Sequence, residues 1–154
     1  MKDLHNNIKA VSLIDPIVAN NDTEGTPASG LDTRGFQSAE LIATLGAAAD
    51  TLASGSLYWD IVLEESDDDS TWTAVTSAND VLVAANSNVA APDANGIIAT
   101  VSAAADDNKV YRVGYTGSKR YCRIKFDATG THTNGTVLAL MGILSHALGL
   151  PATD

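Results

Sequence analysis

A chain of 154 residues with 45% hydrophobic content has the size and apolar share of one globular domain with its own core. Nineteen acids against nine bases give a net charge of −10, which excludes general binding to a phosphate backbone. The single Cys122 excludes an intrachain disulfide framework and a cysteine-based zinc site, and its place in an apolar alternation reads as a small buried hydrophobe.

In chain order, residues 1–30 read as an extended N-terminal arm. Residues 8–14 form a short strand pattern that Pro16 interrupts, and the polar stretch ANNDTEGTPASG after Val18 has no periodicity. The apolar residues of this arm, Ile8, Val11, Leu13, Ile14, Ile17 and Val18, are costly to leave in water, so it is expected to lie along a neighbouring surface. The domain proper is expected over 31–154. Residues 38–45, bracketed by Gly35 and Gly46, have strand length. Residues 57–64 alternate, with Leu57, Trp59, Ile61 and Leu63 on one face. An acidic turn follows at 65–70, then a partner strand at 71–75. Residues 81–83 are a short apolar run, and 97–101 read as a strand.

Two runs rich in aromatic and β-branched residues, 110–115 and 121–126, flank the turn 116–120 and read as a β-hairpin. Thr136 to Leu144, after the turn signal Asn134-Gly135, are nearly all apolar and fit a strand buried on both faces or the start of a helix through His146, the turn signal favouring the strand. Seven or eight short strands separated by turn signals predict an all-β sandwich, jelly roll or small barrel.

The expected hairpin holds six of the nine basic residues, Lys109, Arg112, Lys119, Arg120, Arg123 and Lys125, with no acid between them. The window is +6 and leaves three bases and nineteen acids, −16, elsewhere. Tyr121, Arg123 and Lys125 share one face of their strand, an arrangement that suits single-stranded nucleic acid, but the surrounding negative charge opposes it. Protein recognition is the better reading, with the basic ribbon meeting an acidic patch on another copy or another protein. The chain carries its own acidic complement at 64–69, so pairing around a closed ring and pairing within one subunit are both open.

No constellation for catalysis is found. The acidic turn invites a calcium reading, but Trp72 stands where an EF-hand loop needs glycine, and no Glu closes the loop. His5, His132 and His146 lack metal-ligand spacing, and nucleophile elbow, P-loop and dinucleotide fingerprints are absent. The chain is therefore read as a non-enzyme without cofactor. No stretch approaches the roughly 18–20 apolar residues of a membrane span, and the first residues carry charges where a secretory signal needs an apolar run. Synthesis in the cytosol is expected, with no membrane partner.

The strings Leu63-Glu64-Glu65-Ser66-Asp67-Asp68-Asp69-Ser70-Thr71-Trp72 and Tyr111-Arg112-Val113-Gly114-Tyr115-Thr116-Gly117-Ser118-Lys119-Arg120-Tyr121, with the opening Met1-Lys2-Asp3-Leu4-His5-Asn6-Asn7-Ile8-Lys9-Ala10-Val11, carry a resemblance. The chain resembles a group of small structural proteins of tailed bacteriophages, the head decoration or cement proteins. The sequence departs from the group at Glu65 and in the C-terminal SHALGLPATD. The resemblance implies an all-β, jelly-roll-like antiparallel β-sandwich with an extended arm. It also implies a homotrimer on the capsid exterior of the virion that bridges major capsid protein subunits. The expected contact residues are Ile8, Val11, Leu13, Ile14 and Ile17 of the arm and Arg112, Lys119, Arg120, Arg123 and Lys125 of the basic segment. The alternative reading is a carbohydrate-binding sandwich in which Trp72 stacks on sugar, Trp59 lying in the inward set.

Overall fold

Strand alternation builds the molecule. The computed structural model describes residues 4–85 and 87–149, so the first three residues of the expected arm and the end of the C-terminal segment, 150–154, lie outside the described residues. Ten strands follow in order: β1 (Ile8–Ala19), β2 (Leu31–Asp32), β3 (Phe36–Ala48), β4 (Tyr58–Ser66), β5 (Thr73–Ala74), β6 (Val81–Leu82), β7 (Ile97–Val101), β8 (Lys109–Tyr115), β9 (Tyr121–Thr129) and β10 (Thr136–Ala147). They form two antiparallel sheets packed as a jelly-roll-like sandwich. The first sheet has the order β1-β10-β3-β8-β6. The second has β2-β9-β4, and β7 and β5 share the far edge of β4, β7 along residues 59–62 and β5 at 64–65.

The core lies between the sheets. β4 and β9 contribute Trp59, Ile61, Leu63, Cys122, Ile124 and Phe126, all fully buried, as the alternation requires. Opposite them stand Leu41, Ala43 and Leu45 of β3, Tyr111 and Val113 of β8, and Leu138, Leu140 and Leu144 of β10. A side chain at Gly142 of β10 would meet Leu31 Cδ1 at 2.6 Å, so glycine there lets the second sheet approach.

Three expectations are corrected. First, residues 110–126 are not a hairpin. β8 pairs with β3, from Ala39↔Tyr115 to Leu45↔Lys109, and β9 pairs with β4 along its whole length, from Tyr58↔Thr129 to Ser66↔Tyr121. The two basic strands lie in opposite sheets, and residues 116–120 cross between them. A five-residue connection spans the ~10 Å between sheets as readily as the ~4.8 Å between strands. β3 and β4 offered each strand an antiparallel partner, and those non-local pairings decided the outcome.

Second, residues 8–19 do not extend away as an arm. They form the edge strand of the first sheet, paired with β10 from Ile8↔Ser145 to Ala19↔Thr136. Pro16 does not end the strand, because an edge strand tolerates a missing donor. The register instead shifts between Ser12 and Ile14 and between Ile14 and Ile17. The polar stretch after it is packed against the edge of β9. Phe126 N–H donates to Gly25 O at 2.9 Å, and Ala128 N–H donates to Asp22 Oδ1 at 2.6 Å. A Cβ at Gly25 would sit 2.4 Å from Phe126 O, so only glycine lies this close to the strand.

Third, β10 is buried on one face only. Leu138, Leu140 and Leu144 enter the core, while Val137 and Met141 are exposed.

Candidate interaction surface

Each of the six basic residues of the segment, the five expected to meet a partner among them, has a carboxylate partner in the same chain. Lys109 lies 3.4 Å from Asp106, Lys125 3.4 Å from Asp127, and Arg112 3.8 Å from Glu40. Lys119 pairs with Asp67. Arg120 grips Asp32 with two nitrogens, Nε to Oδ1 at 3.0 Å and Nη2 to Oδ2 at 2.7 Å. Arg123 is the best shielded, with side-chain exposures of 12% and 15% for it and Glu64. Its Nε and Nη2 reach Glu64 Oε2 at 2.8 and 2.7 Å, and its guanidinium lies 4.0 Å from the Trp72 ring centroid. Each cation of the segment thus has an acid of its own subunit beside it, the Arg112–Glu40 contact being the loosest of the six.

The acidic turn and the basic crossover fasten one end of the sandwich. Tyr115 Oη donates to Glu65 Oε2 at 2.6 Å and accepts from Lys119 N–H at 3.1 Å. Burial and the Glu65 contact hold that phenol well above its usual range. The amides of Thr71 and Ser70 and the Ser66 hydroxyl donate to Asp68 and hold its carboxyl far below the ordinary value. Asp69 takes a left-handed φ of 59°, which Asp tolerates, and accepts from Gly30 N–H at 2.7 Å. The Arg120 guanidinium lowers the Asp32 carboxyl in the same way.

The expected arm contacts also turn inward. Ile14 is buried, Val11, Leu13 and Ile17 pack on the core, and Ile8 is half-buried opposite Ser145.

What faces solvent instead is the outer surface of the first sheet. Val18, Leu82, Val110, Val137 and Met141 are between 45% and 65% exposed. Their register places them in rows: Ser12, Met141, Ile42 and Arg112 across the sheet; Val18 beside Val137; Thr44 beside Val110; Leu82 beside Gly114. The charged side chains in these rows are Arg112 and Glu40, and burial pushes the Glu40 carboxyl above its usual value. The second sheet is the opposite case, its outer face carrying Asp60, Glu64, Arg123, Lys125 and Asp127. Sequence reasoning missed the apolar face. Its signal was there, in apolar residues at both parities of 136–144, but the same pattern fits a strand covered on both sides.

The remaining candidates are separate. His5 lies in a 3-10 turn (His5–Asn7), His146 ends β10 within 2.9 Å of Ser38 Oγ, and His132 is buried 4.4 Å from the Trp59 ring. Neither ring nitrogen of His132 has a hydrogen-bond partner. Burial pushes the Cys122 thiol up to about 12. Trp72 has Arg123 over its ring and its rim against Gly30. Among the described residues no group of three or more His, Cys, Asp or Glu side chains is placed to hold a metal ion, and no helix is long and apolar enough to cross a membrane. Comparison with protein-family models, curated proteins and solved structures finds no match.

Proposed function

We propose that this chain is a structural virion protein that decorates and stabilises the outside of a tailed-phage capsid, bridging major capsid protein subunits as a homotrimer. The observation that carries this reading is the contrast between the two outer faces: one sheet is covered by charges paired within the chain, and the other presents a broad apolar surface. A contact protein uses such a surface to bury area against neighbours, and each contact stabilises both partners by mass action. The neighbours that such a face covers are the sister copies of the homotrimer, and the resemblance of residues 63–72 and 111–121 to head decoration proteins supplies the capsid side of the reading. The role needs a rigid body, and the lock of Arg120, Arg123 and Lys119 on Asp32, Glu64 and Asp67 supplies one.

The test is co-sedimentation of the purified protein with shells of the major capsid protein from the same genome, followed by heating of decorated and bare shells. Saturable binding and a raised shell melting temperature are expected. Shells that sediment without the protein at all concentrations overturn the proposal.

A further inference from the structure

We propose that the outer face of the first sheet is the surface through which copies of this chain bind one another, the same face of each copy covering that of the next. This deepens the self-association part of the proposed function and is independent of capsid attachment.

Four observations converge. The face is large enough: four strand spacings of ~4.8 Å give a breadth of about 19 Å, and the four long strands, of seven to thirteen residues, give a usable length of about 30 Å, with the two residues of β6 at one edge. That is about 600 Å² in projection, close to the ~800 Å² that one partner contributes to a standard interface. Next, of the large apolar side chains that are exposed among the described residues, Val18, Leu82, Val110, Val137 and Met141 lie here, and Leu4, Val83 and Leu148 lie elsewhere. Covering the patch with the same face of another copy buries the apolar side chains of both at once.

Charge selects the occupant. The molecule carries −10, so most approaches of one copy to another bring acid against acid. This face holds Arg112 and Glu40 in its strand rows and Asp15 at its β1 edge, bonded to Ser12, and is far less acidic than the rest of the molecule, which makes it the easier route between copies. Finally, the pair is self-complementary and loosely made. Arg112 Nε stands 3.8 Å from Glu40 Oε1, beyond hydrogen-bond distance, and the Arg112 side chain is 58% exposed. Each guanidinium can exchange its own Glu40 for the Glu40 of another copy, and each Glu40 can accept from it in turn. Both closed arrangements fit the dimensions. Two faces stack at the ~10 Å of packed sheets, and three sheets about 19 Å broad around a threefold axis stand about 5.5 Å from it, half that spacing.

The experiment is sedimentation equilibrium of the full chain, with melting curves to check that each variant folds. Wild type should associate with a Kd at or below about 10 µM, more tightly as salt screens the net charge. Val137→Asp with Met141→Asp should raise that Kd at least about 100-fold, whereas Ser54→Asp with Thr131→Asp, equal in charge but away from the face, should not. Arg112→Glu and Glu40→Arg proteins should each be monomeric alone and should associate when mixed, because their faces then carry opposite charges. A wild type that is monomeric at about 100 µM overturns the inference. So does association unaffected by the face variants, an outcome that leaves the homotrimer standing with another interface. A face-dependent dimer supports the inference and removes the trimer from the proposed function. Shell binding is scored separately.

Discussion

Replacing Arg123 by alanine probes the lock at the end of the sandwich. The substitution removes the Nε hydrogen bond and the close Nη2 contact to Glu64 Oε2, the bond from Nη1 to Pro27 O and the guanidinium above Trp72, and it leaves a shielded carboxylate without its cation. Breaking a buried pair from one side costs about 3–5 kcal/mol, and an Arg–aromatic contact contributes about 0.5–2 kcal/mol. With 12% and 15% of the two side chains still reached by water, the low end applies, about 3 kcal/mol. For a domain of this length each kcal/mol moves Tm by about 2–4 °C, so Arg123→Ala should melt about 6–12 °C below wild type. Urea unfolding should show the same loss with an unchanged m-value. Arg123→Lys keeps the charge but loses the fork and the stacking, and should recover less than half of the difference. Arg123→Met with Glu64→Leu removes both charges together and should lie within about 1–2 kcal/mol of wild type. If Arg123→Ala melts within 2 °C of wild type, the pair is not holding this end together and the reasoning fails.

Deletion of residues 1–20 removes β1 and with it Ile14 and Ala19 from the core, plus the packing of Val11 and Ile17. At about 1.5–3 kcal/mol for each large buried side chain, the loss rivals the whole 5–15 kcal/mol of a typical domain, and circular dichroism should show an unfolded or aggregating chain. A folded truncated protein would contradict the pairing of β1 with β10. Gly25→Ala drives a methyl into the Phe126 carbonyl and should cost about 1–3 kcal/mol by thermal melting. His132→Phe keeps the ring beside Trp59 and removes two buried nitrogens without hydrogen-bond partners, and should raise Tm by about 2–4 °C, a fall in Tm counting against the packing described. The depressed carboxyls of Asp32 and Asp68 add stability that is complete above their ordinary value of about 4 and is lost as pH falls through their lowered folded values. Urea midpoints between pH 5 and pH 2 should therefore fall, and Asp68→Asn should flatten that fall.

Much of the fold was legible locally. The alternation of Trp59, Ile61 and Leu63 and of Cys122, Ile124 and Phe126 named the inward faces of β4 and β9, and all six side chains are fully buried. The acidic turn at 65–70 and the short strands at 73–74, 81–82 and 97–101 also follow the expected places. The candidate site was not legible, because its terms are relations between distant segments. Arg123 meets Glu64 across 59 positions, and Arg120 meets Asp32 across 88. Nothing local told the basic segment whether its acids would come from its own chain.

The sequence by itself determined the class of the protein: strand periodicity, turn chemistry and inward sets, all set by side chains within a few positions of one another. Only the tertiary structure decided that β8 and β9 belong to opposite sheets, that residues 8–19 are an edge strand, and that the exposed apolar surface is the outside of β1-β10-β3-β8. The physical reason is the same in each case. A strand's alternation fixes which side chains share a face, but its partners are chosen by hydrogen bonds and burial against strands tens of residues away, and that choice decides which apolar face is covered and which is left for another molecule.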